Sequence, residues 1–190
     1  MIIKNQLRKE LIKSKISEII ESISSVEENL PENEEEFSNF GLMKKGIYKE
    51  IEFAIENVID ICNMINSDLR LGVPEVEEDI IHNLEVAKVF DKKIIELIKD
   101  LKKFRNILVH KYGKIDDKKA FEDISEGLND FELIIKEIEG FLIKCEKNGK
   151  VNVNGKDEGK GKINGGDKVN GGGKDISKNK VNDNGKDEGQ

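Results

Sequence analysis

The sequence predicts an all-α protein: an up-and-down bundle of four long helices plus a short helix, followed by a disordered C-terminal tail. Three observations lead there. Apolar residues recur at three- and four-residue steps through four long segments, the spacing of one helix face. No segment alternates apolar and polar residues between turn signals, so strands are not expected. Composition, finally, divides the chain in two. Residues 1–147 hold every aromatic residue, both prolines and 23 Lys+Arg against 32 Asp+Glu, a net of −9. Residues 148–190 hold 11 of the 17 glycines, no aromatic residue, 9 Lys and 7 Asp+Glu, a net of +2. A domain of about 150 residues buries about 68–70% of the surface its unfolded chain exposes, enough for one proper core.

The first helix is expected over 3–30, where Leu7, Leu11, Ile12, Ile16, Ile19, Ile20, Ile23 and Val26 share one face before Pro31. Residues 31–40 read as an acidic connection. The second long helix is expected over 42–69: Ile47, Ile51, Ala54, Val58, Ile61 and Ile65 step by three and four, and Glu56, Asp60, Asn63 and Ser67 mark another face. Gly72 and Pro74 break the pattern, and Pro74 suits the first turn of a short helix over about 75–88. Asp91 is placed to cap a helix over about 92–112 that Gly113 ends. The last helix is expected over 117–146, with Phe121, Ile124, Leu128, Phe131, Ile135, Ile138, Leu142 and Cys145 in an unbroken stripe. A stripe that regular serves either an internal core or a dimer seam.

Two domains follow: a helical bundle over 1–147 and a disordered tail over 148–190. The tail repeats Asn-Gly-Lys-Asp-Glu-Gly at 154–159 and 184–189. So polar a composition buries too little apolar area to offset the entropy of ordering its backbone.

Charge and cysteine content narrow the function. A bundle of net −9 is poorly suited to neutralising many phosphates at once; an RNA partner would have to be met at a local site. No run approaches the ~18–20 apolar residues of a membrane span, and the N-terminal residues lack a signal-peptide layout. Cys62 and Cys145 are isolated, which suits reduced cysteines in a cytoplasmic protein, and no His/Cys cluster accompanies them, so no metal ligands are expected.

The stretch that carries chemistry is Phe104-Arg105-Asn106-Ile107-Leu108-Val109-His110-Lys111-Tyr112-Gly113. At about 100° per residue, Arg105 and Tyr112 lie about 20° apart on the apolar stripe of Ile94, Ile98, Leu101 and Leu108. Asn106 and His110 lie one turn apart on another face, where Asn106 either orients the imidazole or the phosphate or is a polar surface residue. An arginine in an apolar stripe is costly unless it meets a partner or a water-filled cleft; Asp60 is a candidate partner. A regular helix does not put Arg105 beside His110, so either the helix loosens near Gly113 or one site draws on more than one chain. Histidine serves as general acid or base near neutral pH, and arginine holds a phosphate bidentately. Attack by a ribose hydroxyl on the adjacent phosphate needs those two functions and no metal. The alternative is structural: Arg105 pairs with a carboxylate, and His110 caps the helix end. His82 is expected at the surface of the short helix, and Tyr48 in packing.

The motif Arg105-Asn106-Ile107-Leu108-Val109-His110-Lys111-Tyr112 resembles that of the HepT-like branch of the HEPN proteins, written Arg-Asn-x-x-Val-His-x-Tyr. Leu71-Gly72-Val73-Pro74, Gly113-Lys114-Ile115-Asp116, Gly127-Leu128-Asn129-Asp130-Phe131 and the stretch from Ala54 to Ile65, with its acidic position at Asp60, resemble the family's surroundings of that motif. The resemblance spans about residues 40–145. It implies a homodimer with motif helices facing each other, and an RNA endonuclease used as a toxin, with Arg105 and His110 as the catalytic pair; Asn106 and Asp60 are supporting candidates from their helical positions alone. It implies no cofactor and no metal. It also implies an MntA-like nucleotidyltransferase antitoxin that transfers AMP from ATP onto Tyr112 and silences the enzyme. RNA and the antitoxin are the expected partners; DNA and membrane are not. A reading of another class is a non-catalytic helical bundle serving as the substrate-binding or scaffold subunit of a nucleotidyltransferase.

Overall fold

A computed structural model describes residues 7–110 and 115–148. The tail that the composition sets apart, and Tyr112, lie outside the described residues. Six helices follow in order: α1 Lys9–Asn29, α2 Glu34–Asn39, α3 Leu42–Leu69, α4 Glu77–Val86, α5 Lys92–His110 and α6 Asp117–Asn148. No strand occurs among the described residues.

The long helices run up and down. Ion pairs and hydrogen bonds from Arg8 to Asp68, Lys15 to Asp60 and Ser22 to Glu50 step in opposite directions along α1 and α3. Tyr48 and Lys44, near the start of α3, hold Asp117 at the start of α6, while Lys9 meets Glu146 near the end of α6. α5 therefore delivers its C-terminal end to the end of the bundle where α3 and α6 begin.

The stripe read from α3 is the centre of the core: Ile47, Ile51, Ala54, Val58, Ile61 and Ile65 are all buried. On α6 the buried line runs through Ala120, Ile124, Phe131, Ile134, Ile138, Phe141 and Leu142, while Phe121, Leu128, Ile135 and Cys145 form its half-buried edge. Cys62 is wholly buried, which pushes its thiol up to about 12, and both cysteines are free.

α1, α2 and α4 differ from the reading above. α1 begins at Lys9, so residues 7 and 8 of the expected helix are not helical, while 3–6 lie outside the described residues; Arg8 is held out of helical geometry, its backbone N–H donating to Asp68 Oδ2 at 3.0 Å and its Nε to Asp68 Oδ1 at 2.8 Å. The acidic connection contains a helix, α2. Asn33 Oδ1 accepts the Glu36 N–H at 3.0 Å, and Glu34, Glu35 and Glu36 sit in a first turn whose dipole favours negative charge. Phe37, fully buried, packs on Tyr48 and Phe121 with ring centroids 5.6 and 5.5 Å away. Gly41 then reverses the chain at φ 58°, a conformation glycine adopts without cost.

α4 is shorter than the expected 75–88. The Asp79 carboxylate starts it by accepting the N–H groups of Val76 and Glu75 at 3.1 and 2.8 Å, and these bonds hold its pKa below the usual carboxylate range.

Phe37 alone carries the apolar contact of α2, so Phe37→Ala is expected to cost about 3–5 kcal/mol in denaturant unfolding. A loss below about 1 kcal/mol would show that α2 is not part of the core.

Candidate active site

α5 follows the predicted stripe. Ile94, Ile98, Leu101 and Leu108 are buried, and Arg105 sits in the same row between Leu101 and Leu108 with its side chain 22% exposed. Its guanidinium makes two long hydrogen bonds. Nη2 donates to Glu56 Oε1 of α3 at 3.2 Å, and Nη1 donates to Asn106 Oδ1 at 3.3 Å. Nε is buried and has no hydrogen-bond partner among the described residues. A buried donor left unpaired costs free energy that a merely structural arginine has no reason to carry.

The expected partner was one helical turn off. Asp60 is held by Lys15 of α1 at 2.7 Å, on the other flank of α3, while Glu56 reaches Arg105. The two acids lie one turn apart on the polar side of α3, Glu56 reached from α5 and Asp60 from α1. Asn106 accepts its hydrogen bond from Arg105 rather than orienting His110. His110 is exposed at the last turn of α5, and no described hydrogen bond joins it to Arg105. The helix is regular up to His110, so within one chain the two side chains stay about 140° apart. The single chain brings Arg105, Asn106 and Glu56 together and leaves His110 to the side.

Neighbouring groups fix the ends of this helix. Lys102, one turn before Asn106, is buried and paired with Glu78 and, at 3.4 Å, with Glu77 in the first turn of α4. This pair lowers the Glu78 pKa through the Lys102 hydrogen bond. On the other side of the motif, the Tyr48 hydroxyl donates to Asp117 Oδ1 at 2.9 Å. Tyr48 is thus packing as expected, with a polar anchor added; burial, then that bond, pushes its pKa well above the ordinary tyrosine value. His82 is exposed. Among the described residues no group of three or more His, Cys, Asp or Glu is placed to hold a metal ion, and no helix is long and apolar enough to cross a membrane.

Sequence reasoning missed Glu56 as the partner and Lys102 as a buried cation. The charge on the polar face of α3 signalled the first; nothing in the pattern signalled the second. Chemically, the site offers a cation with unused donors at the end of an apolar row. An imidazole, His110, lies on another face of α5, and the motif's Tyr112 is outside the described residues. Such a set suits an anion and a proton transfer.

Comparison with known proteins agrees with that chemistry. The family model "Ribonuclease HepT-like" matches residues 18–138. The chain is 25% identical over 130 residues to the mRNA nuclease HepT of Shewanella oneidensis, covering 68% of this chain and 97% of that protein. It is 27% identical over 143 residues to a candidate RNase of Archaeoglobus fulgidus, covering 74% of this chain and 99% of that protein. Among solved structures, it is similar in fold to the tri-AMPylated HEPN toxin of Shewanella oneidensis in complex with its MNT antitoxin. There the TM-score is 0.62 at 24% identity, over 68% of this chain and 97% of that one.

If Arg105 serves an external anion, it is not needed for folding. Arg105→Met is expected to leave the unfolding free energy unchanged or up to about 1 kcal/mol higher, because Glu56 is 41% exposed and stays solvated. A loss above about 2 kcal/mol in a denaturant titration would mark Arg105 as structural.

Proposed function

Because the chain belongs to the HepT-like ribonuclease family, we propose that it is a metal-independent RNA endonuclease, the toxin of a toxin–antitoxin pair, acting in the cytoplasm. One observation carries the reading: the sequence holds the motif from Arg105 to Tyr112 intact, and on α5 the Arg105 Nε has no hydrogen-bond partner among the described residues. Arg105 grips the scissile phosphate through its planar fork. His110 takes the proton of the ribose 2′-hydroxyl as that oxygen bonds to phosphorus. An imidazolium returns a proton to the 5′-oxygen as its bond to phosphorus breaks. The products are a cyclic phosphodiester end and a free 5′-hydroxyl. No cofactor enters these steps.

The reading includes a homodimer, which the geometry of α5 supports. One helix holds Arg105 and His110 on different faces, and two motif helices meeting across a two-fold axis supply both groups, an acid and a base, to one cleft. The partner that silences the enzyme is an MntA-like nucleotidyltransferase antitoxin, which transfers AMP from ATP to Tyr112. An adenylate seven residues after Arg105 brings a phosphate that competes for the guanidinium and a bulk that shuts out RNA. The antitoxin complex of the Shewanella oneidensis toxin supports this reading.

Two measurements test it. Purified, unmodified protein with RNA and a chelator is expected to cleave, and His110→Ala to lose at least ~100-fold in rate, the contribution of a general acid–base group. Equal rates for the two proteins would remove the nuclease reading and leave a binding or scaffold subunit. Incubation with ATP and the cognate nucleotidyltransferase is expected to add AMP mass to the wild type and not to Tyr112→Phe; an adduct that persists in Tyr112→Phe would remove Tyr112 as the acceptor.

A further inference from the structure

We propose that Glu56 is a carboxylate gate on the Arg105 fork: it occupies the guanidinium in the free protein, a substrate phosphate must displace it, and so it sets how tightly the site takes anions. The inference rests on the reading of Arg105 as the phosphate-binding group.

The geometry of the pair is that of a placeholder. Glu56 reaches the guanidinium with one oxygen at 3.2 Å, whereas well-formed charge-assisted bonds of this kind measure about 2.7–2.9 Å and a structural arginine pair is often bidentate. The guanidinium's only other described bond, to Asn106, is also long, and Nε has none among the described residues. Glu56 is 41% exposed, so its carboxylate can rotate into water without being stranded in the core.

The other acids on this stretch of α3 are held elsewhere. Glu52 pairs with Lys49 at 2.7 Å, Asp60 with Lys15 at 2.7 Å, and Glu50 accepts from Ser22 at 2.8 Å. Glu56 is the acid that faces Arg105. A phosphate arriving at the same fork brings a second negative charge within a few ångströms of Glu56, and the two anions repel. At the effective dielectric of a partly exposed site, removing one such charge changes anion affinity about three- to tenfold. The gate thus raises the threshold for stray small anions. An RNA chain, which gains contacts beyond one phosphate, clears that threshold more readily.

The test is binding of a fully 2′-O-methylated RNA oligonucleotide, which cannot be cleaved, measured by fluorescence anisotropy on the full chain. Glu56→Gln keeps the shape and removes the charge, and is expected to tighten binding about three- to tenfold. Glu56→Ala is expected to move it the same way. Glu10→Gln, which removes an equal charge from the exposed Lys13 pair at the start of α1, is expected to change it less than about twofold. Unchanged or weaker binding by both Glu56 variants overturns the gate and makes Glu56 a residue that holds Arg105 in place. Equal tightening by Glu10→Gln overturns it as well, since net charge alone would then be acting. Arg105→Ala separates this from the underlying reading. If it weakens binding while the Glu56 variants fail to tighten it, the gate alone is wrong; if it leaves binding unchanged, the phosphate-binding role of Arg105 is wrong too.

Discussion

A guanidinium set in an apolar row is the constraint from which the rest of the molecule can be understood. Arg105 lies between Leu101 and Leu108 on the face of α5 that packs into the bundle, and an always-charged group in that row must find a partner or a wet opening. It has some of each: one long contact to Glu56, one to Asn106, and a buried Nε without a partner among the described residues. An arginine placed for stability would be gripped more fully. The incomplete satisfaction is what supports the proposal that Arg105 serves an external anion.

The scaffold brings that group to a defined place. α3 supplies the core row and the acid that faces Arg105. α2 packs Phe37 between Tyr48 and Phe121, and Tyr48 and Lys44 fasten the first residue of α6. On the other flank, buried Lys102 ties α5 to the first turn of α4. Lys102 thus ties α5 to α4, and Asp117 ties the start of α6 to α3, so Arg105 and Asn106 are presented by a packed helix rather than by a loop. Rigid presentation is what positioning a phosphate for attack requires.

Much of this was legible in the sequence. The row from Ile47 to Ile65 placed α3 at 42–69, its observed bounds, because one uninterrupted period had clear breaks at both ends. α2 was not legible, since a segment with one deeply buried Phe37 among glutamates has no period to read. The start of α1 was misplaced because Asp68, 60 residues away, pulls Arg8 out of the helix. The motif residues and the row holding Arg105 were legible as helical geometry. Its partner was not: Glu56 and Asp60 lie one turn apart on the polar side of α3, and only the packing has Glu56 reached from α5 and Asp60 from α1. The gap between Arg105 and His110 was legible from the helical angle alone, and α5 keeps it.

The acidity of the bundle fits a site of this kind. On the proposed function, RNA is met at a few donors rather than over a broad basic surface, and the net negative charge of residues 1–147 suits a protein partner. The chain contains three arginines, Arg8, Arg70 and Arg105, so their Nε–H signals are readily told apart by nitrogen-edited NMR. The most direct measurement follows the Arg105 Nε–H signal while uncleavable 2′-O-methyl RNA is added. An arginine kept ready for phosphate is expected to show a saturable shift of that signal and slower exchange with water, with Arg8 and Arg70 little changed. An Arg105 signal that stays in place while the RNA binds would contradict the account.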